Sequence, residues 1–593
     1  MMNDHGNDER GRKRKKKRSR IQMAKKFARK RNYDSDVDSD TYQYMVHVLE
    51  LMKNDFPTGK ERSVFVNNVY EQTVGHEVEY AKNQVGSRIL DSLLKYASLE
   101  TIQRLTDAFN ASLRPLCSDR FASHVLQKIL LVCADRGNGT EVSESERCRY
   151  NDAALKLSRY LINNVEEFAF DTYANHLLRT VFECLGGLID RPENVDRKKM
   201  IFSDRRPVTQ EYKELLSRAC NVLYNWPRFI EFGQDELTSG LLQSVLYSAK
   251  DALPEVAEAY IDKITSTCFQ PGKNQEPSNV FDAECSTRLL EACLAVAAPK
   301  SFSKIRENYF SGQLKRLSLA VGTNFSVQRL LDHCTMKEDF EEILEELRTC
   351  FSEIIDKGHT GVLVSVANTC LRLRAQQGAF LTDLLKALHC ESNDRQVRMA
   401  NCMAGLKTYE QLENSRKENV DAKTSINLHG SLVIQAVLRF NKPIKLVNSL
   451  LEMEEEDFVR LLEDPKGSRI VDAFMDSEFI GEKSREKLGK KLKGHWSRLA
   501  RSTHGSRCLD RIWEWARTNQ RILIMEELAA AGESMRSTKS GQIISNKLNV
   551  PLFARSQKDW TEAQGREKKT KALFADVIQG GGGGGGSKKR ADK

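Results

Sequence analysis

The feature that most limits what this chain can fold into is a short pattern that keeps returning. It consists of a small polar residue, a variable one, two aliphatics, a polar residue and, further on, another aliphatic pair. Its clearest copies are Gly86-Ser87-Arg88-Ile89-Leu90-Asp91, Gly467-Ser468-Arg469-Ile470-Val471-Asp472 and Gly505-Ser506-Arg507-Cys508-Leu509-Asp510. Counted at the first polar position, the copies stand at 87, 123, 175, 239, 287, 324, 360, 431, 468, 506 and 541. Intervals of 35 to 38 dominate; the gaps of 52, 64, 48 and 71 hold polar inserts such as residues 137–146, or room for one eroded further unit. Aliphatics at i, i+3 and i+4 lie on one face of a helix. A helical period near 36 then means stacked units, none of which can bury its apolar face alone. The expected fold is all-α, a solenoid of about eleven units over residues 42–554.

Composition agrees with this expectation. Only 12 prolines occur in 593 residues, and apolar pairs recur at helical rather than strand spacing. The 14 cysteines form no Cys-x-x-Cys pair, and Cys133, Cys184, Cys293 and Cys334 lie singly inside apolar runs, as small core residues do. No cofactor and no metal site is therefore expected. No apolar run approaches the roughly 18 residues that a membrane span requires, and no signal-peptide core precedes the first helix. A reducing intracellular compartment and no membrane partner are the expectation.

Charge divides the chain into three parts. Residues 1–31 carry fourteen Lys or Arg against three acidic residues, net +11, and residues 555–593 carry ten against five, net +5. The overall charge is +10, so the body between them is net −6. Such a body cannot hold nucleic acid by bulk charge and must rely on locally placed side chains. The tract Arg12, Lys13, Arg14, Lys15, Lys16, Lys17 and Arg18 is expected to be a nuclear-import signal within a disordered tail, 1–41. That tail turns acidic at Asp34–Asp40, where Ser35 and Ser39 are candidate phosphorylation sites. The last segment, 555–593, is basic and contains the flexible spacer Gly580–Gly586.

Within each copy the first, second and fifth positions fall opposite the apolar pairs, so a shared exposed stripe is expected there. Asp119, Asp171, Asp235 and Asp464 stand four residues before the first position, where a carboxylate can cap the helix.

A second-helix pattern of Asp-x-x-Gly-Ser-Arg-x-x-polar on this period resembles the PUF (Pumilio) repeat. More than eight units, irregular inserts and lysine-rich ends are most similar to the nucleolar protein Nine family of small-subunit ribosome assembly factors. The resemblance covers residues 42–554. It implies a curved α-solenoid of three-helix repeats whose concave face holds single-stranded RNA, one base per repeat, with the first and fifth positions gripping the base edge and the second stacking on it.

Carried over position by position, the best match is Asn324, Phe325 and Gln328, a pair that in the family favours uracil, with an aromatic face between. Ser123, His124 and Gln127 resemble an adenine-type reader, as do Ser431 and Gln435 around Leu432, and Ser239 and Gln243 around Gly240. Thr287, Arg288 and Glu291 lean towards guanine, whose N1 and N2 donors a carboxylate can accept. Three units carry Ser-Arg-x-x-Asp instead: Ser87, Arg88 and Asp91; Ser468, Arg469 and Asp472; Ser506, Arg507 and Asp510. There the aspartate is placed to pair with the arginine three residues earlier. Asn175, His176 and Arg179 put a cation at the fifth position, which suits a phosphate. Thr360, Gly361 and Val364, like Gly541, Gln542 and Ser545, offer little. Five of eleven units at most keep a base code, so weak sequence preference combined with recognition of RNA structure is expected.

The function implied is binding of precursor ribosomal RNA in the nucleolus, with 18S processing and small-subunit assembly as its setting and pre-ribosomal proteins as further partners of a monomeric chain. A Pumilio-type messenger regulator and a HEAT or armadillo protein scaffold are the alternatives; the latter predicts periods of about 40 to 47 residues. No phosphate-binding Gly-x-x-x-x-Gly-Lys, His-Glu-x-x-His or nucleophile elbow is present, and an enzyme is not expected.

Overall fold

A computed structural model describes residues 39–53, 58–188, 205–269, 279–418 and 426–564. The basic tract Arg12–Arg18, Ser35 and the glycine run lie outside the described residues. Each copy of the pattern opens one helix, and these helices are numbered here in chain order: α1 Gln84–Leu93, α2 Ala122–Asn138, α3 Ala174–Leu185, α4 Glu236–Ala252, α5 Glu284–Val296, α6 Asn324–His333, α7 Gly361–Leu373, α8 Leu428–Val437, α9 Ser468–Asp476, α10 Gly505–Trp515 and α11 Lys539–Leu548. Among the described residues no strand occurs.

The chain divides into two compact units, Met1–Phe302 and Ser303–Lys593. In the first, α1 to α5 pack each against the next; in the second, α6 to α11 do the same. Each unit is thus a helical-repeat solenoid. A repeat consists of a short leading helix, the pattern helix and an outer helix, as in Glu77–Lys82, α1 and Leu99–Asn110, or Leu314–Leu319, α6 and Lys337–Leu347. The 71-residue gap holds no twelfth pattern helix among the described residues, because α7 packs directly on α8. Its extra length goes into the outer helix Gln377–Ala387, the leading helix Met399–Gly405 and an inserted helix, Tyr409–Glu418. Much of the polar insert at 137–146 is helix end: α2 runs to Asn138, and Ser143 with Glu146 forms a capping box on the next helix.

Packing explains the recurrent residues. Cys133, Cys184, Cys293 and Cys334 are fully buried among the aliphatics; burial pushes the Cys133 thiol up to about 12, so it stays a neutral packing group. The cap positions act as expected. Asp119 accepts the amides of Phe121 and Ala122, Asp171 those of Tyr173 and Ala174, Asp235 those of Leu237 and Thr238, and Asp464 those of Lys466 and Gly467, all at 2.7 to 3.1 Å. The glycine before the first position has a steric cause: a Cβ on Gly467 would strike the carbonyl oxygen of Leu461, six residues back in the leading helix. Where this position is Thr238, Ser286 or Thr323, the hydroxyl donates to that same carbonyl instead, at 3.1, 2.6 and 2.9 Å.

Two boundaries move. Ser39 and Asp40, expected in the tail, begin the helix Ser39–Leu51, with Asp40 in its first turn, where a carboxylate suits the free amides. At the other end the body does not stop at 554. Trp560 is buried, packs edge-on against Phe553 and Trp513, and donates from Nε1 to the Leu548 carbonyl at 2.9 Å.

Candidate nucleic-acid interface

The three positions expected to share one exposed stripe differ in burial. The first is inside: Asn175 and Ser431 are fully buried, and Ser87, Ser123, Ser239, Asn324, Thr360 and Ser468 are buried as well. The fifth is half-buried at Asp91, Gln127, Arg179, Gln243, Gln328, Gln435, Asp472 and Asp510, and buried at Glu291. Among the first positions Thr287 and Ser506 are half-buried, and the second position is the one exposed in most of the pattern helices. Arg88, His124, His176, Arg288, Phe325, Leu432, Arg469 and Arg507 are all exposed there. The cause is helix geometry: the first position faces the turn that begins the next repeat, while the second clears it.

Two of the buried first positions bond between repeats. Ser239 donates at 2.7 Å to the carbonyl of Cys285, and Ser431 at 2.7 Å to that of Lys466. Each acceptor stands two residues before the first position of the following helix, so the two bonds are the same bond made twice. Arg179 donates to Leu237, which holds that place in the first turn of α4, at 2.8 Å. The fifth-position amides are drawn into the same framework. Gln243 and Gln435 donate to Ser239 and Ser431 at 3.3 and 3.0 Å, and Gln127 donates to Thr180 of α3 at 2.7 Å. Asn175 donates to the Ala169 carbonyl at 2.6 Å.

Asn324, Phe325 and Gln328, the triplet expected to read uracil, sit together at the start of α6. Asn324 anchors its amide on the carbonyls of Ala320 and Val321, at 3.1 and 2.7 Å, and accepts from Gln328 at 3.0 Å. Phe325, 53% exposed, lies open beside them, a free π-face for a base. The guanine-type unit is closed on itself, since Arg288 pairs with Glu291 at 3.1 Å and with Glu284 at 3.6 Å. Of the three expected arginine–aspartate pairs, Arg469–Asp472 is present at 3.4 Å. Asp510 turns instead to Lys547 at 3.0 Å; among the described residues, Arg88 and Arg507 enter no ion pair. Those two guanidiniums are available for phosphate contacts or stacking.

The last unit corrects the expected register by one residue. Gly541 is the glycine of the pattern, not its first position: a Cβ there would strike the carbonyl oxygen of Met535, six residues back, and its amide is capped by Thr538 at 3.1 Å. Gln542 donates its amide to the Thr538 carbonyl at 3.0 Å, as Ser468 does to Asp464. The triplet is therefore Gln542, Ile543 and Asn546, and Ser545 is a buried packing residue. Ile543 is 54% exposed, matching the second position elsewhere. The aliphatic pair points to the other register in the sequence, because Ile543 and Ile544 fit it only if Gly541 is the first position; with Gln542 there, Ser545 stands at the second aliphatic place.

Comparison with known proteins gives the same architecture. The family profile described as NOP9-like PUF repeat domain matches residues 75–543. Nucleolar protein 9 of Homo sapiens is 27% identical over 573 residues, covering 90% of this chain and 90% of that protein. Pumilio homolog 23 of Arabidopsis thaliana is 22% identical, covering 92% of this chain and 75% of that protein. The solved structure of APUM23-GGAGUUGACGG superposes with a TM-score of 0.68 at 21% identity, over 89% of this chain and 99% of that one. Relatives named nucleolar protein 9 also occur in Mus musculus and in fungi such as Coccidioides posadasii, and the chain is a protein of the nucleus and nucleolus. With the pattern helices, their staggered contacts and the profile match all in register, the chain belongs to the NOP9-like PUF-repeat family of RNA-binding proteins.

Proposed function

We propose that this chain holds precursor ribosomal RNA, single-stranded or structured, against its second-position side chains, and that it acts in 18S processing and small-subunit assembly in the nucleolus beside proteins of the pre-ribosomal particle. One observation carries the reading: within each unit most second positions project from successive helices, while many first and fifth positions are bonded into the framework. Four of those projecting residues are arginines, Arg88, Arg288, Arg469 and Arg507. Arginine stacks on bases and bonds phosphates, so arginines at these positions favour backbone and shape over base identity. The base code is concentrated at Asn324, Phe325 and Gln328. The names of the mammalian and fungal relatives support the nucleolar setting, and the basic arm 1–31 supplies the sequence-independent charge that the net-acidic body lacks.

Crosslinking in cells followed by sequencing of the attached RNA tests the reading. Reads dominated by ribosomal precursor, with 18S-side fragments enriched, are the expected outcome. Reads dominated by messenger 3′ ends would assign the chain to Pumilio-type regulation instead.

A further inference from the structure

We propose that Arg179, carried by α3, is the stacking residue of the neighbouring α4 repeat, its guanidinium lying over Gly240 as a planar cation for an RNA base. The inference rests on the RNA-binding reading above and goes beyond it, since the α4 repeat has no side chain of its own at the second position.

The observation is one of occupied space. A Cβ built on Gly240 would fall inside the guanidinium of Arg179, with Nη1 at 2.7 Å and Cζ and Nη2 nearer still. Gly240 does not lie in the left-handed region, so its backbone does not call for glycine; the neighbour's side chain does. Nη2 of Arg179 donates to the Leu237 carbonyl at 2.8 Å, at the turn that opens α4, which fixes the guanidinium plane against the helix it serves. The planar group thus begins where the side chain of residue 240 would begin.

A second instance occurs in the other compact unit. The remaining glycine at a second position is Gly361 in α7, also outside the left-handed region. The place of its Cβ lies against the side-chain amide of Gln328, the fifth-position residue of the preceding α6, with Nε2 at 2.8 Å and Oε1 at 2.9 Å. Both glycines at second positions therefore coincide with a planar polar group handed over from the fifth position of the helix before. Stacking asks for a flat surface with polarisable or cationic character. Guanidinium meets that demand better than amide, so the α4 repeat carries the test. It follows that Arg179, which a position-by-position code treats as a failed edge reader of the α3 repeat, serves the base of the next repeat.

The test uses the full-length chain and a fluorescently labelled, mixed-sequence pool of single-stranded 16-nucleotide RNA, titrated at several salt concentrations, with thermal melts of every variant. Arg179→Ala should weaken binding about tenfold, the effect of losing one stacked base. The double variant Arg179→Ala/Gly240→Arg, which returns the guanidinium to residue 240's own side chain, should recover affinity to within about threefold. Arg179→Lys, a cation without a plane, should remain weak, and the salt slope of Arg179→Ala should match wild type. The inference is overturned if wild type binds and Arg179→Ala binds equally well, if lysine restores affinity while the salt slope tracks the charge at 179, or if affinity follows the melting temperature and the double variant fails to recover it. A wild-type chain that binds no RNA of the pool would instead sink the RNA-binding reading itself.

Discussion

Helices α4 and α8 open on the same residue as α9 and α10, a serine at the first pattern position, and use it differently. In α4 and α8 the hydroxyls of Ser239 and Ser431 reach across to the carbonyls of Cys285 and Lys466, and Gln243 and Gln435 close back onto them. In α9 and α10, Ser468 and Ser506 donate within their own first turn, to Pro465 at 3.3 Å and Thr503 at 3.1 Å. The former pair spends its polar residues on holding repeats together, with Gly240 and Leu432 at the second position. The latter leaves the second position to exposed arginines. The same letter therefore has two functions, and the position of the next repeat's carbonyl decides between them.

The largest effect should come from the arginine side of this contrast. Replacing Arg88, Arg469 and Arg507 together by alanine should cost RNA affinity about a hundredfold or more, at about 1 to 3 kcal/mol for each stacked or paired group. The log–log salt slope should fall, while melting shifts little because all three are exposed. Fluorescence anisotropy across a salt series measures this. Undiminished affinity would mean that these arginines are solvated surface and the comparison an accident of packing. The Asn324, Phe325 and Gln328 triplet is the control: its alanine variant should lose binding to uracil-containing strands more than to others.

A smaller effect belongs to the serine side. Ser431→Ala leaves the Lys466 carbonyl and the Gln435 amide without their partner at a fully buried position. That should cost about 1 to 3 kcal/mol of stability, against roughly 0.5 kcal/mol or less for Ser468→Ala, whose bond is a weak local one. Urea melts of the two variants, compared at equal slopes, separate them. Equal losses would show that the inter-repeat bond has no special weight.

How much of this the sequence announced depends on which physical feature is asked about. The pattern helices were legible because aliphatics at i, i+3 and i+4 can be satisfied only by stacking, and all eleven copies open a helix. The caps were legible too, since an aspartate four residues before the first position has a local job. The use made of that first position was not, because whether its hydroxyl reaches a carbonyl of the following repeat, as at Ser239 and Ser431, depends on residues 35 or more away. The same holds for Arg179, whose partner Leu237 is 58 residues on, across an insert that hides the period. In the last unit the register slipped because Ile543 and Ile544 complete the aliphatic pair only with Gly541 first, whereas Ser545 takes an aliphatic place in the register that the Met535 carbonyl beneath Gly541 reveals.

The finest version of the contrast lies in α3, where the exposed second position carries His176 beside the bonded Arg179. Partial burial, and then the charges of Arg179 and His124, hold the His176 imidazole below its usual pKa. His429, whose Nδ1 meets the Thr360 hydroxyl at 2.8 Å, is lowered by burial alone. For both, the folded state prefers the neutral ring, and the unfolded chain takes the proton first, near pH 6.5. Their contribution to stability is therefore complete above that pH and declines as pH falls from about 6.5 through the lower folded value. His176→Gln should flatten the dependence of melting temperature on pH between about 7 and 5 relative to wild type, and His176→Gln with His429→Gln should flatten it further. If Arg179 is what opposes the proton on His176, Arg179→Ala should flatten the His176 share of that dependence while leaving the His429 share unchanged. Parallel curves for all three variants and wild type would show that neither ring is held neutral by the framework.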